Sequence, residues 1–499
     1  MKTQWPISVL LTVLLLFSLS CPVSATGQTV PLEQTIIAAC TYGKDADLTA
    51  YNVTVDALTE LYTDLFHRGA LPWYAGAEYQ YTYNEETDVV GTFRPDTDIM
   101  ESADLALYEQ TVAQILDTCL KPGMADWQIA LALHDYLIAS ATYDESLLKT
   151  SSYHLLVDGT AVCSGYASAY QDLLLRAGIE CRYVVSEKMD HAWNLVKIDG
   201  QWYHVDLTWD DPTPDGAGYV SHQYFLRTDE EIATGEKPHY DWNSDISCTD
   251  TRFSEGFWLA LNSPVVYESA TVCYLQRLED WCSVLYRREE QTGKETVLYR
   301  EPLNYIDIGY GDYTYEHYGL SLRQGRLWFC TNKEVLSVKT DGTDLQSHYT
   351  QFGNAYIYSC YTQQDTLKLT LMTHESTPSH QQVSLEPTGE HIHKFTQTVT
   401  KPTCAEPGYT TSVCACGMEC KSTPTAPREH SYLYTDGEDA TLFAEGCSVY
   451  TCEYCDHSYT QALPRLRILD ILLDKLYIVI PAGLVLVALI CLPFLRKRR

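Results

Sequence analysis

The residues best suited to covalent chemistry lie between positions 153 and 212. Cys163 opens an apolar helical pattern, Ala169, Leu173 and Leu174, that stops at Arg176-Ala177-Gly178, where the glycine is a helix-ending residue. A cysteine at a helix N-terminus faces unpaired backbone N–H groups and the positive end of the helix dipole, and both favour a thiolate. The small neighbours Ser164 and Gly165 leave room for a substrate to approach. A lone cysteine is more often a small buried hydrophobe, so a nucleophile needs a base beside it.

A hairpin downstream supplies that base. His191–Ile198 and Gln201–Thr208 read as two strands joined by Asp199-Gly200, a two-residue type I′ turn. With Ile198 opposite Gln201, the register sets Asp206 against Trp193 and Thr208 against His191. Alternation sends His191, Trp193, Asp206 and Thr208 to one face. Val196, Ile198, Tyr203, Val205 and Leu207 go to the other, the core face. His191 and Asp206 are then diagonal neighbours at roughly 7–8 Å, a gap that an imidazole and a carboxylate close with a hydrogen bond. Such a carboxylate orients the ring and leaves the histidine free to deprotonate a thiol delivered from the helix.

Three stretches carry a resemblance: Cys163-Ser164-Gly165-Tyr166-Ala167, His191-Ala192-Trp193-Asn194, and the run Trp202-Tyr203-His204-Val205-Asp206 through Pro212. In order and in content they resemble the motifs of the transglutaminase-like superfamily, and the likeness extends from Asp126 to about Asp245. The resemblance implies a papain-like core of helices packed on an antiparallel sheet. It also implies Cys163 as nucleophile, His191 as general base and acid, and Asp206 as the orienting carboxylate. The expected reaction is attack on an amide carbonyl of a protein or peptide, with no cofactor for the chemistry, giving a thioester released to water or to an amine. Hydrolysis is the leading expectation. Protein cross-linking, or a non-catalytic adhesion protein on the same fold, are the alternatives.

Other residues near these motifs have blander readings. His204 is expected to be a satisfied structural histidine. Trp193, Trp202 and Trp209 either line a groove or shield the dyad from water. Tyr153 is a candidate oxyanion donor. His134-Asp135 is expected to be exposed polarity, because adjacent helical residues point apart.

The elements that must position this chemistry sort the chain into regions. From 26 to 120 the pattern is mixed: Thr54 caps a helix with the apolar stripe Leu58, Leu61, Tyr62, Leu65 and Phe66, closed by Gly69, and Tyr79, Tyr81 and Tyr83 alternate as a strand. The region 121–250 is the expected catalytic domain and opens with a helix at Asp126. From 251 to 388 short β-branched and aromatic runs, among them Arg326–Cys330 and Val335–Lys339, alternate with turns such as Asp341-Gly342. Residues 391–462 repeat themselves: His393, Cys404, Gly408, Cys414 and Cys416 are echoed by His430, Leu442, Gly446, Cys452 and Cys455. The mixture suits structural zinc, with Cys404, Cys414, Cys416, His430, Cys452 and Cys455 as candidate ligands, and disulfide-stapled modules are the alternative. The expected fold class is α+β with a β-rich region and small Cys/His modules.

Composition bounds the setting. Thirty-four basic residues against 66 acidic ones leave a net charge of −32, which excludes nucleic acid as a partner. Lys2, the apolar run Ile7–Leu19 and Val23-Ser24-Ala25 read as a secretory leader over 1–25, with a lipoprotein signal at Cys21 as the alternative. Leu476–Leu495 carries no charge and is long enough, at about 1.5 Å per residue, to cross a ~30 Å hydrocarbon layer. Arg496, Lys497, Arg498 and Arg499 would stay on the cytoplasmic side, which predicts a single-pass cell-membrane protein with its catalytic part outside. In an exported chain, eight of the nine scattered cysteines would remain to form disulfides once Cys163 is set aside.

Overall fold

The computed structural model describes residues 31–465 apart from 98–101, 213–214, 281, 303–305, 308–311, 314–315, 352–354, 374–377, 386–394, 407, 415–418, 422–426, 429, 439–440 and 442–443. Among these residues no helix is long and apolar enough to cross a membrane. The expected leader at 1–25, membrane helix at 476–495 and basic tail at 496–499 lie outside them. The chain is α+β, with helices concentrated before residue 235 and antiparallel sheets after 265.

The first core forms around helices α1 (Leu32–Tyr42) and α2 (Val55–His67) and the antiparallel strands Ala75–Asn84 and Val89–Thr97. The Thr54 hydroxyl accepts from Ala57 N–H and so starts α2, whose Leu58, Tyr62 and Leu65 are buried with Ile36 and Phe93. Gly69, at φ 65°, follows its end.

The larger core lies around helices α3 (Ser102–Cys119), α4 (Asp126–Ser140) and α5 (Cys163–Arg176) and a three-stranded antiparallel sheet. That sheet consists of β1 (Cys181–Ser186), β2 (His191–Ile198) and β3 (Gln201–Val205), with β2 central. Asp199 and Gly200 both take positive φ, 47° and 82°, as the type I′ turn requires, and Ile198 pairs with Gln201 as the turn dictates. The core face is as read from alternation: Val196, Ile198, Tyr203 and Val205 share one buried cluster with Ala169, Tyr170, Leu173 and Leu174 of α5. Gly178, at φ 87°, ends α5 by donating its N–H to Leu175 O.

Two features differ from the sequence reading. Strand β3 stops at Val205 instead of Thr208, because Asp206 caps a short helix, α6 (Leu207–Asp210). The larger core also ignores position 251: Phe253, Trp258, Leu261, Val265, Tyr267, Cys273 and Leu275 are buried within it. Among the described residues, two four-stranded sheets, a two-stranded one and a three-stranded one follow between Val266 and Ser384, and then two small three-stranded sheets, one in each repeat. The nine scattered cysteines are free thiols, so the disulfides expected for eight of them are not formed.

Leu173 is fully buried where α5 meets the sheet, whereas Leu148 is 79% exposed. Leu173→Ala should therefore lower stability in urea by about 2–5 kcal/mol, and Leu148→Ala should leave the unfolding midpoint where it is.

Candidate active site

Cys163 is the first residue of α5, so its own N–H and that of Ser164 have no acceptor within the helix. The loop before it is tied down from two sides. Val162 N–H donates to Lys149 O, and the Asp144 carboxylate accepts from the N–H groups of Ser146, Leu148 and Lys149 at 3.1, 2.9 and 2.8 Å. Gly165 is small for an internal reason: a Cβ there would sit 2.5 Å from that of Ala161 and 3.0 Å from Ser151 O. It allows close packing of the helix and does not open a path for substrate.

His191 begins β2 and is 9% exposed. Its Nε2–H donates to Asp206 Oδ2 at 2.6 Å, and Cys163 is near enough for its sulfur to favour a charged imidazole. The structure thus pairs His191 with Asp206, while Cys163 packs against the neighbouring cluster of Ala167, Tyr183 and Ala192. Burial by itself would depress the imidazole. The Asp206 charge and hydrogen bond, aided by those of Cys163, outweigh it and hold the pKa up at about 10.

Asp206 is fully buried and saturated. Besides His191, its Oδ2 accepts from His239 Nε2 at 2.8 Å, and Oδ1 accepts from Thr208 and Trp209 N–H at 2.9 and 3.2 Å. Burial pushes this carboxyl up, but the charge and hydrogen bond of His191 and the hydrogen bond of His239 prevail and hold it far below the carboxylate range.

His239 is the member of the cluster that sequence reading missed. It follows Lys237-Pro238 with no periodicity to mark it, and it reaches Asp206 from a turn 33 residues away.

The aromatic residues divide. Trp193 and Trp209 stack on His191 with ring centroids at 5.7 and 5.0 Å, so they shield the imidazole. Trp202 instead lies under the Lys197 ammonium. His204 is structural: it accepts from Trp193 Nε1–H at 3.0 Å and pairs with Asp229 at 2.9 Å. The Tyr153 hydroxyl donates to Asp104 and its ring stacks with Trp73 and Tyr108, so it is committed elsewhere than to an oxyanion.

His134-Asp135 is a correction. Helix α4 is buried almost all round at this level and has no solvent face for the pair to occupy. His134 Nδ1 bonds Asp135 at 2.8 Å and its Nε2 bonds Asp210 at 3.2 Å, while Asp135 also accepts from His222 and from Val265 N–H. Burial works against a charged His134, but the hydrogen bonds and charges of the two carboxylates raise it to about 9. Of the expected metal ligands, Cys404, His430, Cys452 and Cys455 come together. Cys414 ends the strand Tyr409–Cys414, and Cys416 lies outside the described residues.

The raised imidazole sets a pH test. A histidine whose folded pKa lies above its free value of about 6.5 contributes stability that is complete below that pH and is lost as the pH climbs to about 10. The stability gap between wild type and His191→Gln, read from urea unfolding, should therefore narrow by a few kcal/mol across this window. A gap that stays flat would mean that the His191–Asp206 ion pair does not form.

Part of this region is similar to known proteins. Residues 110–207, which contain Cys163, His191 and Asp206, match the transglutaminase-like superfamily. Human kyphoscoliosis peptidase is 34% identical over 61 residues, 9% of this chain and 9% of that protein. The mouse protein of the same name is 29% identical over 84 residues, 13% of each. The chain thus spans only about a tenth of the length of these relatives. A solved transglutaminase structure aligns over 31% of this chain and 49% of its own, at 14% identity and a TM-score of 0.20. Residues 110–207 are a transglutaminase-like superfamily domain.

Proposed function

We propose that this protein is a surface-anchored thiol acyl-transfer enzyme on a papain-like core, with Cys163 as nucleophile, His191 as general base and acid, and Asp206 as the carboxylate that orients the imidazole. The observation that carries the reading is the His191 imidazole held by the buried Asp206 carboxylate near Cys163 at the head of α5. Cys163 and His191 react as a thiolate–imidazolium pair, the form that the Asp206 charge favours, and the sulfur attacks an amide carbonyl of a protein or peptide. The oxyanion is received by the first-turn N–H groups of α5. His191 then returns the proton to the departing amine, and the thioester is left for water or a second amine.

Hydrolysis is the favoured outcome. Water needs no binding pocket, and the relatives matched over part of this domain carry the name peptidase. His239 is a positioning residue in this scheme, since it touches Asp206 and not the reacting atoms. The leader and the apolar, base-terminated C-terminal run support an extracellular domain on a single membrane anchor.

Two measurements test the proposal on the intact chain. Iodoacetamide at mildly acidic pH should label Cys163 ahead of the eight buried scattered thiols, and His191→Ala should slow that labelling. In a glutamine-containing peptide library with a labelled primary amine, cleavage or deamidation should exceed amine incorporation. Asp206→Asn should lower the rate roughly 10²–10⁴-fold, and Cys163→Ala should abolish it. Amine incorporation without hydrolysis would make the enzyme a cross-linker, and a Cys163→Ala protein indistinguishable from wild type would leave only a binding role.

A further inference from the structure

The two C-terminal repeats fold into the same three-stranded antiparallel sheet, Phe395–Thr400, Tyr409–Cys414 and Glu419–Lys421 in the first, and Tyr432–Glu438, Gly446–Cys452 and Ser458–Leu463 in the second. Their side chains do not match one for one, because the second has Leu442 where the first has Cys404. The first repeat makes up the difference. Thr403–Glu406 belongs to the compact unit formed by residues from Pro427 onward, not to the unit holding the rest of its own repeat. Arg428 N–H donates to Thr403 O at 2.7 Å and fastens the segment there. Cys404 thereby joins His430, Cys452 and Cys455, with all four ligand atoms within 4.8 Å of one another.

The spacing discriminates between the two chemistries open to such cysteines. Cys404 Sγ and Cys452 Sγ are 3.7 Å apart. A disulfide would hold them at about 2.0 Å. Two thiolates on one tetrahedral zinc, with Zn–S bonds of about 2.3 Å, stand ~3.8 Å apart. Cys455 Sγ lies 3.3 Å from His430 Nδ1, close to the ~3.6 Å expected for a thiolate and an imidazole on the same ion.

Two further observations suit a metal. Tyr454 N–H points at Cys452 Sγ at 3.4 Å, so the turn Cys452-Glu453-Tyr454-Cys455 offers a backbone donor to a thiolate. The unit also has almost no apolar core: among its described residues, Cys452 is the only hydrophobic side chain that is buried. Small domains without a core need a staple, and three thiolates with one imidazole select zinc over hard cations.

We propose that Cys404, His430, Cys452 and Cys455 form one structural Zn²⁺ site that crosses the repeat boundary, with the first repeat's cysteine supplying the thiol that the second repeat's sequence lacks at position 442. The assignment is independent of the enzyme reading. The position of Cys404 in the first repeat makes it the ligand that decides the matter. It holds together a fold to which, by sequence, it does not belong.

The test counts zinc per chain by mass spectrometry in the intact protein and in Cys404→Ser, Cys455→Ser, the double variant and Cys447→Ser. Cys447 lies in the same sheet but outside the ligand set. Cys404→Ser, Cys455→Ser and the double variant should each lose the same single equivalent, and Cys447→Ser should lose none. Losses that add in the double variant would place Cys404 and Cys455 in separate sites and overturn the proposal. So would undiminished zinc in Cys404→Ser, a Cys404–Cys452 disulfide in non-reduced peptide maps, or an equal loss in Cys447→Ser.

Discussion

A fully buried carboxylate at a helix N-cap is the constraint on which the rest of the site depends. Asp206 has no contact with water and accepts from two imidazoles and from two N–H groups of α6. An unpaired carboxylate at that depth would be prohibitively unfavourable, so each donor is needed for the charge to persist. The charge in turn favours the protonated form of His191 and engages its Nε2. Three elements with no common local origin, the head of α5, the start of β2 and the cap of α6, are brought to one point by this single group.

Helix α6 has four residues and cannot be stable alone. It is held at both ends by acids. Asp206 caps its start, and Asp210 at its end accepts from Tyr224 N–H with both carboxylate oxygens and bonds His134 of α4. His134 leads on to Asp135, and Asp135 to His222 and Val265 N–H. The buried polar network is thus continuous from the helical half of the larger core to the chain beyond residue 251. It accounts for acids and histidines in the interior of a protein whose surface already carries a large negative charge.

Legibility in the sequence followed locality. The I′ turn at Asp199-Gly200, the Thr54 cap, the span of α5 and the core face of the hairpin are each specified within a few residues, and each lies where its pattern indicates. The end of β3 was misplaced because Asp206 suits both the alternation of a strand and the cap of a helix. Backbone donors from Thr208 and Trp209 favour the cap. His239 and the surroundings of His134 were invisible for a different reason: their partners come from 33 to 130 residues away, where no period reaches. Gly165 reads in the sequence as room for a substrate, but a glycine does not announce whether a substrate or its own fold requires the space.

Burial also sorts the cysteines by reactivity. Cys40, Cys119, Cys181, Cys248, Cys273, Cys282, Cys330 and Cys360 are buried, while Cys163 keeps partial access to solvent. Loss of solvation raises the Cys40 thiol to about 11 and the Cys119 thiol to about 12, so these sulfurs remain protonated and inert across ordinary pH. Among these nine, Cys163 stands apart in its access to solvent, its place at a helix N-terminus and its nearness to the His191 imidazole. Among the nine scattered thiols, burial silences eight, most of them in several separate clusters, and the start of α5 leaves the ninth accessible.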